Sequence, residues 1–425
     1  MGLYSSFYAS LSGLSTNASN LSVIGNNLAN LNTIGYKGSS GTFQDLFSAS
    51  LGSQGTQGNG NPIQIGLGTR LGGMTQNFGQ GSFQSTSNVT DLAISGQGLF
   101  ALTTQTGTRA YTRAGNFTID KTGSLVDTNG SHVLGWNSTG GAIPTSTAPV
   151  PVALNLNQTS TPFSTTRLSN SVNFNPGAAN ATSFTTPMQV YDSLGTTHTL
   201  LFNYTKRAVT AADPVGATSA WDLTVKTDDL GPPAITAAAG FTSLTFNSNG
   251  ALLGPAANPT LTLSGPWSNG GTNGPIAWDI WNSGVANLTG FSAPSAQSNT
   301  YQNGYGSGTI QSIAVDQTGL ISGTFSNGQT ISLAQVALAS FSNMNGLSKQ
   351  GNNSWAETLA SGSGSLGVAG TGGRGTVLGG NLELSNVDVA EEFTKLIVAQ
   401  RGYQANGKVV TTADELLQET LNLKR

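Results

Sequence analysis

Cysteine is absent from the chain. That removes disulfides, thiolate metal sites and cysteine nucleophiles at once. Charge is scarce as well: 8% of 425 residues are Asp, Glu, Lys or Arg, and the formal net charge is −3. An ordinary globular chain carries roughly 25%. No basic footprint for nucleic acid or an anionic membrane is present, so neither is an expected partner. No run of 18 apolar residues occurs, and no membrane insertion is expected. The N-terminus does not read as a Sec signal, because the first charged residue is Lys37. What the chain does have is 57 Gly, 17 Phe, 6 Trp and abundant Ser, Thr and Asn. The apolar content suffices for real cores, and polarity supplied by hydroxyls and amides suits strands and turns.

The two ends carry a helical period. Phe7, Leu14, Leu21 and Leu28 recur every seven residues, and Leu11 and Ala18 follow the first two by four. At the other end Val389, Leu396, Tyr403, Val410 and Leu417 recur every seven, with Phe393 and Leu421 at the four-residue offset. These are heptad seams. Two seams at opposite ends of one chain predict helices that pack together. The N-terminal helix is weak by propensity, since fourteen of residues 3–31 are Ser, Asn or Gly. That costs about 7–10 kcal/mol relative to Ala. Seven large apolar residues would return about 10–20 kcal/mol on full burial. The segment is therefore expected to be helical when packed and largely disordered alone.

Between the ends the period changes to two. "TIDKTGSLV" (118–126) and "AVDQTGLIS" (314–322) share Asp, Thr and Gly at equal spacing, and Asp127-Thr128-Asn129-Gly130 is a third turn signal. Both phrases read as hairpin turns of one β domain. Residues 146–296 are richer in Pro and Ala, with strands such as "TLLFNY" (199–204) and "WDLTV" (221–225). The expected fold is mainly β with α-helical termini, in discontinuous domains. A terminal helical coiled-coil domain takes 1–32 with 384–425, and a linker region takes 33–71 with 366–383. An inner β domain takes 72–145 with 297–365, and an outer β domain is inserted at 146–296. The Gly-rich tracts 52–62 and 362–375 read as linkers and candidate hinges.

Little chemistry is visible. "GYQANGKV" (402–409) begins like a P-loop, but Val409 stands where a Ser or Thr would hold magnesium, and the stretch lies within a heptad. His132 and His198 read as turn or strand residues on the surface. Asp120 and Asp316 lie in no carboxylate cluster, so no metal is expected. No catalytic site or cofactor is expected. Trp267, Trp278 and Trp281 are stacking candidates for the reading as a secreted β-rich adhesin or carbohydrate-binding protein.

Several long stretches resemble the bacterial flagellar rod and hook axial proteins, and hook proteins in particular. They are "NNLANLNTIGYK" (26–37), "TDLAISGQGLF" (90–100), "YTRAGNFTID" (111–120), "FSNMNGLSKQGNNSWAET" (341–358) and the whole segment 379–423. The resemblance implies an extracellular structural subunit, exported unfolded without signal cleavage. It implies self-assembly into a curved helical tube that joins rod to filament and transmits torque as a universal joint. Partners would be further copies of the chain, rod and hook-associated junction proteins, and during assembly the hook cap and export apparatus. Phe7, Leu11, Leu14, Leu21, Leu28, Val389, Phe393, Leu396, Tyr403, Val410, Leu417 and Leu421 are the expected assembly interface. A distal-rod protein, which shares the termini and inner domain, is the alternative within the same family.

Overall fold

The computed structural model describes residues 2–53, 62–227, 234–237, 243–264 and 266–422. Helix α1 spans Gly2–Ala29 and helix α2 spans Val389–Asn422; nearly everything regular between them is β-strand. Residues 402–408 lie inside α2 without interruption, so no P-loop forms there.

Helix α1 contains no charge, and its hydroxyls and amides bond back onto its own turns. Ser10 Oγ donates to the Ser6 carbonyl, Thr16 Oγ1 to Ser12 and Asn17 Nδ2 to Gly13. Such i−4 bonds satisfy polar side chains without ion pairs. Helix α2 is started by Asp388, whose Oδ1 accepts from the amides of Ala390 and Glu391. Glu391 and Glu392 then complement the positive end of the helix.

The chain divides into two units. The first comprises 1–156, 312–323 and 330–425. Its central strand His132–Asn137 pairs antiparallel with Leu99–Thr103 and with Thr330–Val336. Leu99–Thr103 is buried on both faces. Phe100 and Leu102 join a cluster with Leu92, Phe117, Val133 and Val336, while Leu99 and Ala101 pack with Tyr111, Leu347 and Trp355. A strand buried on both faces reads as a continuous apolar run, which is why "LFAL" alternates so loosely. The tract 362–375 is not a free linker. Its Ser365–Gly367 pairs with Leu338–Ser340, and Ala369 is buried. The segment 33–71 carries Ser39–Asp45, which pairs with Thr69–Gln76. Residues 54–61 of the other Gly-rich tract lie outside the described residues.

The second unit comprises 157–311 and 324–329, and the expected 146–296 insertion overlaps most of it. Ser183–Tyr191, Thr197–Arg207, Ala217–Thr227, Ser243–Asn247 and Leu252–Gly254 form an antiparallel meander. A second sheet is organised around Arg167–Asn173. The two sheets share one core that holds Phe174, Phe202, Tyr204, Trp221 and Trp278. This core corrects two surface assignments. Trp267 and Trp278 are buried, and the Trp281 indole donates to the Pro255 carbonyl, so the tryptophans hold the unit together rather than offering stacking faces. His198 is also inside, stacked 3.8 Å from Trp267 and bonded through Nε2 to Asp192. It occupies the same inward row as Leu200, Phe202 and Tyr204.

One turn recurs in both units. Asp120, Asp127, Asp192, Asn247 and Asp316 each accept, through one side-chain oxygen, from the amides two and four residues ahead. The glycine three residues on has φ between +75° and +85° in all five. The side chain closes the turn and the glycine admits the left-handed residue. This accounts for the matching phrases at 118–126 and 314–322.

Candidate assembly interface

The terminal helices pack antiparallel, and small and polar residues take the most buried positions. The buried positions of α1 include Ser10, Gly13, Thr16, Val23, Ile24 and Asn27. Those of α2 are Glu392, Ala399 and Ala413. Small residues let the axes approach, and the contact is interlocked. A methyl group added to Gly13 would lie 2.9 Å from the Asn406 carboxamide, and one added to Gly402 would lie 3.1 Å from that of Asn17. Each Asn is in turn bonded to the glycine carbonyl four residues earlier in its own helix, at 2.8 Å for Asn17 and 2.9 Å for Asn406. The same Gly-x-x-x-Asn unit therefore serves both helices. Sequence reading met it only as the false P-loop. The usable signal was its repetition at 13–17 and 402–406.

This packing leaves much apolar surface uncovered. Leu396, Val410 and Leu417 are half-buried, while Val389, Phe393 and Tyr403 are exposed on α2. On α1, Phe7, Leu14, Leu21 and Leu28 are half-buried and Leu11 is exposed. The side chain of Leu421 lies outside the described residues. Residues absent from the expected seam add to the surface: Ile397 is 56% exposed and Val398 66%, on the same helix as Phe393 at 48%, while Leu11 of α1 is 49% exposed. A lone large side chain on a surface needs no explanation, but a stripe along a helix marks a surface that another molecule covers. Among the described residues there is no group of three or more His, Cys, Asp and Glu placed to hold a metal.

Comparison with known proteins covers most of the chain. Residues 7–37 match the flagella basal body rod protein family, and 93–167 match the flagellar hook protein FlgE/F/G D1 domain. Residues 155–305 match the flagellar basal body protein FlaE D2 domain, and 378–423 match the flagellar basal body rod FlgEFG protein C-terminal family. The flagellar hook protein FlgE of Salmonella typhimurium is 35% identical over 444 residues, covering 99% of this chain and 100% of that one. That of Treponema pallidum is 31% identical over 469 residues and covers 99% of each. The crystal structure of Helicobacter pylori flagellar hook protein FlgE2 aligns with a TM-score of 0.49 at 14% identity, over 69% of this chain and 98% of that one. Matched along its whole length to hook proteins of distant bacteria, with hook-domain families on the body and rod families on both termini, the chain belongs to the bacterial flagellar hook protein family.

Proposed function

We propose that this chain polymerises into the flagellar hook, a curved helical tube that joins rod to filament and carries motor torque as a universal joint. The observation that carries the reading is the uncovered apolar stripe on two terminal helices already packed together through small residues. Apolar side chains that the intramolecular contact leaves partly or wholly exposed are available to neighbouring copies, and burial there offsets the poor helix propensity of α1. The helices form the inner wall of the tube and the β units face outward. Rod and junction proteins meet the two ends of the polymer, and a cap and the export apparatus act during assembly. Subunits leave the cell unfolded without signal cleavage. The work is mechanical, and no catalytic role is assigned. The buried Trp267 and Trp278 disfavour a carbohydrate-binding role.

Electron microscopy of the purified chain tests this. Full-length protein should form tubes. A chain lacking 1–32 and 384–425 should remain a folded monomer. Tubes from the trimmed chain, or none from the full one, would refute the reading.

A further inference from the structure

The chain passes between the terminal helices and the β body of the first unit in two short segments, 30–38 after α1 and 384–388 before α2, and α1 also touches the hairpin of Ser39–Asp45 and Thr69–Gln76 through Ser12 and Thr16. Backbone torsions in such segments are soft unless something cross-links them. Here both are cross-linked. Glu383, immediately before the second segment, is buried between two buried cations. Its Oε1 accepts from Lys37 Nζ at 2.6 Å and its Oε2 from Arg113 Nε at 2.5 Å. Lys37 belongs to the first segment and Arg113 to the body. Oε1 also accepts from the Gly81 amide, and the Glu383 carbonyl accepts from Gly35 N at 2.7 Å. The surplus positive charge is solvated by main chain: Arg113 donates to the carbonyls of Ile94, Gly96 and Gly98, and Lys37 to that of Gly79.

A second tie lies beside the first. Asn386 Oδ1 accepts from the Gly38 amide at 2.9 Å, and its Nδ2 donates to the carbonyls of Asn77 and Gly79. Further out, the buried Asn27 of α1 bonds both backbone groups of Ser39 and donates to Glu392 of α2. Each bond is directional. An apolar contact at the same place would tolerate sliding and rotation, whereas a saturated polar network admits one orientation.

We propose that Glu383, with Lys37, Arg113 and Asn386, is a clasp that holds the helix pair in one orientation on the β body, so that each subunit transmits twist between them without yielding at the junction. This rests on the hook reading for its purpose but not for its test. The compliance of the polymer then resides between subunits or elsewhere in the chain.

The test is amide hydrogen exchange on the full-length chain, free and assembled, with Asn386→Ala, Glu383→Gln and the distant turn variant Asp316→Asn. Asn386→Ala is the milder change and keeps the test open if Glu383→Gln fails to fold. The expected result is at least a tenfold rise in exchange over 33–38 and 384–400 in Asn386→Ala. Strands Leu92–Ser95 and Leu99–Thr103 should stay within twofold of wild type. Asp316→Asn should alter only 314–322. Equal acceleration of helices and strands, or none over 33–38 and 384–400, would overturn the clasp. So would a wild-type free chain in which 33–38 and 384–388 exchange like an unfolded peptide. Failure of wild-type chains to form tubes would instead refute the hook reading and leave the free-chain result standing.

Discussion

Four helical glycines separate packing from propensity. Gly25 and Gly407 have nothing within 4 Å of an added methyl group. Replacing either with Ala removes the entropic cost of Gly in a helix, a gain of about 1 kcal/mol each. The two lie on different helices and share no contact, so the double variant should gain about 2 kcal/mol. Gly13 and Gly402 would receive the same propensity gain, but their new methyl groups meet Asn406 and Asn17 at 2.9 and 3.1 Å. The Asn406 carboxamide must shift and that of Asn17 must give by a few tenths of an ångström, which weakens or breaks its bond to the helix carbonyl. A lost hydrogen bond costs about 1 kcal/mol, and leaving its polar group unpaired costs about 1–3 kcal/mol. Gly13→Ala should therefore be neutral or destabilising by about 2 kcal/mol. Combining it with Asn406→Ala removes the obstructing group and should recover at least half of that loss. Urea melts of the full-length chain followed by far-UV circular dichroism give the comparison. If Gly13→Ala stabilised the helices as much as Gly25→Ala, the interlocked seam would be wrong.

Two further outcomes follow from the same geometry. Leu396→Asp places a carboxylate in the half-buried seam of α2 at a cost of several kcal/mol, repeated in every subunit; tubes should be lost, and wild-type tube length in electron micrographs would contradict it. Stability should also fall on acidification. Burial alone would raise the Glu383 carboxyl, but Arg113 and Lys37 outweigh it and hold it below the usual range. For Asp192, burial is likewise outweighed, by Asn269, His198 and two backbone amides. A carboxyl lowered in the folded state contributes fully above its unfolded pKa and loses that contribution as pH falls through the folded value. The melting temperature should hold from pH 7 to about 5 and drop below about 4, with a shallower drop in Glu383→Gln. A decline that begins near pH 6, or an unchanged acid limb in the variant, would contradict the assignment.

Local features of this protein were legible in its sequence because their physics is local. A helix requires only a 3.6-residue period, so both termini were readable despite the Ser and Asn content of α1. The Asp-x-x-Gly turns close on themselves within five residues, so the phrases at 118–126 and 314–322 sufficed. Strand alternation in 197–207 pointed inward at Leu200, Phe202 and Tyr204. The same alternation places His198 inside, although a polar residue beside a turn is more often exposed.

Tertiary structure decided the rest. The heptads identified helices but not the small and polar residues that lie deepest where they meet, because a leucine stripe predicts burial without naming its partner. Close approach is governed by the smallest residues available, and Gly13, Gly402, Ala399 and Ala413 let the axes come nearer than leucines would. The tract 362–375 is glycine-rich as a linker would be, yet a paired strand runs through it, because only a neighbouring edge settles whether such a tract is ordered. The clasp joins Lys37, Arg113 and Glu383 across gaps that no period connects. Its one trace in the sequence is Lys37, the first charged residue of the chain, alone in an otherwise uncharged stretch up to Asp45. Which charges meet is set by how the chain returns upon itself, and burial then makes their pairing obligatory.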